Sequence, residues 1–164
     1  MIYSPHQSDL FIQERPFEYS PSPRKELTYE IFLQTAPYTD WLKELQGAYR
    51  LVQALLQGQL TGQYQLLDFL IWPQGLFTRV TLKEFGSLSE FLRFIKEKSI
   101  PAGETTRAFW DEELQWIKLV SPENLVESTQ AFLSKASELR REINQSQGFS
   151  PNLFFFYRNP RLGK

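Results

Sequence analysis

The strongest constraint lies mid-chain, in a run that is apolar on both faces. From Tyr64 to Ile71 (YQLLDFLI) only Gln65 and Asp68 break the apolar character, the pattern of a central strand buried on both sides. Trp72-Pro73-Gln74-Gly75 reads as a turn and Leu76 to Leu82 (LFTRVTL) alternates, so the two runs form a hairpin. A central strand needs partners beyond its hairpin, and the flanking sequence supplies them. Leu27 to Thr35 alternates Leu27, Tyr29, Ile31 and Leu33 against Thr28, Glu30, Phe32 and Gln34, a strand by its period of two. Leu114 to Val120 (LQWIKLV) reads as a fourth.

Helical spacing fills the gaps. Thr39 is a candidate N-cap, and Trp41, Leu45, Ala48, Tyr49, Val52, Leu55 and Leu56 recur at three- and four-residue steps up to a stop at Gly58. Ser87-Leu-Ser-Glu90 has the form of a capping box. It opens a second helix carrying Leu88, Phe91, Leu92 and Ile95 to about Ser99, closed by Pro101 and Gly103. Ser121-Pro122-Glu123 opens a third, carried by Leu125, Thr129, Phe132, Leu133, Ala136, Leu139 and Ile143. The order β-α-β-β-α-β plus a C-terminal helix predicts an α+β, ferredoxin-like fold, with two helices on one face of a four-stranded antiparallel sheet. Residues 1–26 read as an irregular arm with Pro5, Pro16, Pro21 and Pro23, and 27–143 as the domain. Residues 144–164 read as a tail whose apolar run, Leu153 to Tyr157, is an added strand or a flap.

At 164 residues the chain suits a single core, and 15% aromatic content marks it as globular. It has no Cys and one His, His6 in the arm. Disulfides, thiolate nucleophiles, Cys-ligated metals and paired-His metal sites are therefore excluded. A net charge of −1 gives no global attraction to phosphate backbones. The segment Met1 to His6 lacks the pattern of a signal peptide. Leu66 to Trp72 is too short to span a bilayer. A soluble, cytoplasmic protein without cofactors or membrane partners is expected.

From Thr28 to Ile143 the element order and several phrases are more specific. They are Leu70-Ile71-Trp72-Pro73-Gln74-Gly75-Leu76-Phe77, then Ser87-Leu88, Phe109-Trp110 and Ser121-Pro122-Glu123. Together they resemble the HUH single-strand transposases, in particular the REP-associated tyrosine transposases and their insertion-sequence relatives. In that family a hairpin His-hydrophobic-His pair holds a metal, and a helix tyrosine attacks the scissile phosphate. The matching positions here are Gly75 and Phe77, which cannot ligate a metal. The second helix has no tyrosine and ends at Lys98 and Ser99. What the resemblance implies is a degenerate, non-catalytic member, a pseudoenzyme with weak binding of structured single-stranded or hairpin DNA. Arg79, Lys83, Arg93, Lys96 and Lys98 are the candidate phosphate contacts. The rival reading is a protein-interaction or structural module without a nucleic-acid role, as a homodimer or with another protein; an unfamiliar enzyme chemistry is disfavoured by the missing His and Cys.

Three further features have bland readings. Asp111-Glu112-Glu113 is expected as a solvated turn rather than a cation site. Trp41, Trp110 and Trp116 have the spacing of core residues rather than base-stacking platforms. Strand alternation sets Gly75 and Phe77 on one hairpin face, opposite Leu76 and Thr78. An exposed Phe77 would forfeit roughly 1.5–3 kcal/mol. Phe77 is therefore expected to be buried and its face occluded with no polar pocket. The candidates to cover it are the third helix through Leu125, Phe132 and Leu133, the Leu153–Tyr157 run, or a second copy of the chain.

Overall fold

The computed structural model describes residues 26–62, 64–83, 87–145 and 155–160. The elements are β1 (Leu27–Thr35), α1 (Leu45–Leu60), β2 (Tyr64–Trp72), β3 (Gly75–Leu82), α2 (Leu88–Lys98), β4 (Trp110–Val120), α3 (Leu125–Gln145) and β5 (Phe155–Arg158). The strands form one sheet in the order β4-β1-β3-β2-β5, every neighbouring pair antiparallel. β3 therefore lies between β1 and β2, which is the split-βαβ, ferredoxin-like arrangement within an α+β fold. All but residue 26 of the expected arm, His6 included, lies outside the described residues, as do Leu153 and Phe154.

Two hydrophobic layers sandwich the sheet. On one face Tyr29, Ile31, Leu66, Ile71 and Val80 pack against Ala48, Leu51 and Leu55 of α1 and Phe91, Leu92 and Ile95 of α2. On the other face Leu70, Trp72 and Phe77 meet Phe132, Ala136, Leu139 and Ile143 of α3. The double apolar character of β2 has this cause: each set of its side chains enters a different layer.

Several expectations are corrected. The sheet has five strands, because Phe155–Arg158 pairs with β2. Of the two alternatives expected for the tail's apolar run, an added strand or a flap, the strand is the one formed. β4 begins already at Trp110, so Asp111, Glu112 and Glu113 lie in an edge strand rather than a turn. Acids there keep an open edge hydrated. A 3₁₀ turn at Trp41–Lys43 precedes α1, whose N-cap is Glu44, with no side-chain cap. α1 also runs through Gly58 to Leu60. A Cβ on Gly58 would collide with the ring of Tyr64. That hydroxyl donates to the carbonyls of Ala54 and Leu55 at 3.1 and 2.6 Å. Gly58 is a packing glycine, and the left-handed residue after the helix is Gly62 at φ 81°. The Ser87 cap forms as expected, its hydroxyl accepting the Glu90 N–H at 3.0 Å. On α3 the buried stripe is Ser128, Phe132, Ala136, Leu139 and Ile143. Leu125 and Leu133 lie off that stripe and are exposed. Among the described residues, no helix is long and apolar enough to cross a membrane.

Candidate functional site

Across the face beneath α3 the strand registers assemble two parallel rows. The first runs Lys118, Glu30, Arg79, Asp68, Arg158 from β4 to β5, each residue opposite the next. Its charges alternate in sign strand by strand. The second row lies two residues along and runs Trp116, Phe32, Phe77, Leu70, Phe156. Pleating puts residues i and i+2 on the same face, so a charged ladder and an apolar ladder lie side by side under one helix.

The centre of the charged row is dry. Asp68, Arg79 and Glu30 are all buried. Arg79 forks onto Asp68, with Nε donating to Oδ1 at 2.9 Å and Nη2 to Oδ2 at 2.6 Å. Its remaining nitrogen, Nη1, donates to the hydroxyls of Ser128 (3.1 Å) and Thr129 (2.9 Å) on α3. The guanidinium also sits 5.4 Å from the centroid of the Phe132 ring. Ser128 in turn donates to the Glu30 carboxylate. The result is a relay, Asp68–Arg79–Ser128–Glu30, that fastens the helix to three strands. Burial pushes the Asp68 carboxyl above its usual value, and the Arg79 hydrogen bonds and charge pull against it. Arg158 Nε stands 3.8 Å from the same carboxylate.

Where the relay ends, a cleft opens. It has a volume of about 490 Å³ between the N-terminal half of α3 and strands β1, β3 and β4. Glu30 and Lys118 of the charged row and Phe32, Phe77 and Trp116 of the aromatic row line it from the sheet. Glu127, Ser128 and Lys135 line it from the helix. Phe77 is buried as expected, 5.6 Å from the Phe132 ring and 6.1 Å from that of Trp116. The face was expected to be occluded with no polar pocket; instead a cleft lies beside Phe77, lined in part by charged side chains. The charged row enters because Glu30 and Lys118 neighbour Phe32 and Trp116 one pleat away.

The sequence-derived candidates separate in space. Arg79 faces α3 and is engaged by Asp68, so it does not join the cations of α2, which pack over the opposite face. Lys96 is buried, its Nζ donating to Gln115 Oε1 at 2.7 Å and lying 3.9 Å from Glu112. Burial lowers its pKa, against the opposing pull of Glu112. It lines a second cleft, of about 260 Å³, with Arg93, Glu97 and Glu112, where acids interleave with the bases. Lys83, Arg93 and Lys98 are exposed. Ser99 is fully buried, its hydroxyl donating to the Lys96 carbonyl and accepting from the Trp110 indole. Gly75 has no room for a side chain, since a Cβ there would press on the Leu33 carbonyl. Trp41 and Trp110 are core residues, whereas Trp116 is half-buried at the cleft. Among the described residues no group of three or more His, Asp or Glu is placed to hold a metal ion.

Sequence reasoning missed Glu30, Asp68, Lys118 and Ser128. Part of the signal was present. Counting back from the Pro73-Gln74 turn sets Asp68 opposite Arg79, two charges interrupting apolar strands at paired positions. Ser128 carried no such signal, because its role depends on where α3 docks.

The fold and the site define an α+β split-βαβ domain with a second face closed by a C-terminal helix over a charged ladder. No family model matches the chain, and neither does any curated protein or solved structure.

Proposed function

We propose that the chain is a non-catalytic, transposase-like binding domain of the cytoplasm, with its hairpin face turned from substrate contact to internal packing. The observation that carries this reading is α3, which lies over Phe77 through Phe132 and caps the buried Arg79–Asp68 ion pair with the hydroxyls of Ser128 and Thr129. Gly75 and Phe77, at the positions of the family's histidines, offer no metal-ligating atom. Ser99, at the end of the helix that would hold the nucleophile, is locked in the core. Binding to a protein or small molecule fits this face better than binding to DNA.

Weak contact with structured single-stranded DNA is the second reading, favoured by the exposure of Lys83, Arg93 and Lys98. Incubating the protein with hairpin DNA and Mg²⁺ or Mn²⁺ tests the first reading, which expects no covalent adduct; an adduct would overturn it. Neutralising Arg93 and Lys98 together tests the second. Loss of about two units of salt slope supports phosphate contact. Unchanged binding removes it.

A further inference from the structure

The geometry points to the cleft under α3 as a binding site for a free aromatic α-amino acid, or a small molecule of that chemistry carrying an ammonium, a carboxylate and a flat ring. Its size falls within the range of small-molecule sites, roughly 300–1,000 Å³. Two charges at the cleft have no counter-ion within ion-pair distance among the described residues. Glu30 is buried, yet among the described residues its carboxylate receives only the Ser128 hydroxyl, the Arg79 fork being engaged by Asp68. Lys118, directly opposite Glu30 on β4, makes no ion pair among the described residues. A buried carboxylate without a cation is costly unless something pairs with it. An ammonium entering the cleft would meet Glu30, with Glu127 on the helix wall adding to the negative field. The ligand's carboxylate would then fall to Lys118 on the next strand. Lys135, also in the lining, is held by Glu138 at 3.3 Å.

The second row supplies the ring site. Phe32 is two residues from Glu30 on the same strand face, with Trp116 and Phe77 opposite it on either side. A ligand with its charged centre over Glu30 and Lys118 therefore lays its side chain over three aromatic rings. Such rings favour offset or edge contacts with another ring. The order of the two rows, charge then aromatic, matches the order of groups along an aromatic amino acid. Neither a simple hydrocarbon nor a phosphate uses both.

Calorimetric titration of the full chain with phenylalanine, phenylalaninamide and N-acetylphenylalanine tests this. The amide keeps only the ammonium, and the acetyl compound keeps only the carboxylate. Saturable binding of phenylalanine, with each capped probe weaker by about tenfold or more, is the expected result. Lys118→Ala, at an exposed position, should weaken phenylalanine by about tenfold and leave the amide unaffected. Glu30→Gln should weaken phenylalanine and the amide, and its melting temperature reports whether the fold survives. Absence of saturable heat with phenylalanine overturns the proposal, as does equal affinity for all three probes. Unchanged phenylalanine affinity in Lys118→Ala also overturns it.

Discussion

Asp68 and Arg79 face each other across the hairpin with neither side chain reaching water. Desolvation of two ions is offset here by a bidentate fork and two further hydroxyl contacts, so loss of one partner is far worse than loss of both. Arg79→Met should cost about 3–5 kcal/mol in urea unfolding, whereas Asp68→Leu combined with Arg79→Met should cost less than the single change. A double change at least as damaging as the single one would contradict this account. The same carboxyl makes stability depend on pH. Its pKa is raised in the fold above the usual 3.8, chiefly by burial. The folded state thus holds its proton to higher pH than the unfolded chain does. Its contribution is fully present below pH 3.8 and is lost as pH rises through the raised value. Asp68→Asn should abolish that component, which a comparison of unfolding curves across acidic pH would detect.

At the scale of the element, α1 shows how one residue type serves two roles. A glycine that ends a helix would tolerate or welcome alanine, since alanine is the better helix former by about 1 kcal/mol. Gly58 instead lies under the Tyr64 ring, which is buried and tied by its hydroxyl to Ala54 and Leu55. The ring cannot swing aside without breaking those bonds. Gly58→Ala should therefore destabilise by about 1–3 kcal/mol, as overpacking does. A rise in melting temperature would show that the ring yields. α3 teaches a related lesson. Its apolar residues allowed a stripe through Leu125 and Leu133, but the docked helix buries one with Ser128 in it, whose hydroxyl accepts from the buried guanidinium.

For the whole molecule, the sheet edge is set by a strand contributed from the far end of the chain. β5 covers Asp68 to Ile71 of β2, with Tyr157 stacked on Phe69 at 5.1 Å. Asn159 adds a tie, its side chain donating to the Leu66 carbonyl at 2.9 Å. Truncation after Gln145 removes this strand and the Arg158 charge beside Asp68. It leaves an unpaired apolar edge of the kind that promotes association. The truncated protein should scatter light and lose soluble yield relative to the full chain; a stable, soluble monomer would refute this role for β5.

Local pattern alone determined the core of the fold. Period-two alternation in β1 and β3, helical spacing in α1 and α2, and the Ser87 cap are decided by neighbours a few residues apart, so the βαββαβ order was legible. The pairing of Asp68 with Arg79 was missed, although the short turn that fixes the hairpin register carried its signal. What lay beyond sequence were the meetings set by docking. Tertiary structure decided that α3 covers the second face, that β5 completes the sheet and that Glu30, Ser128 and Lys118 share one cleft. Such contacts join residues far apart in the chain. No local periodicity encodes them, since their geometry exists only once the sheet has formed and each element has found the surface that buries it best.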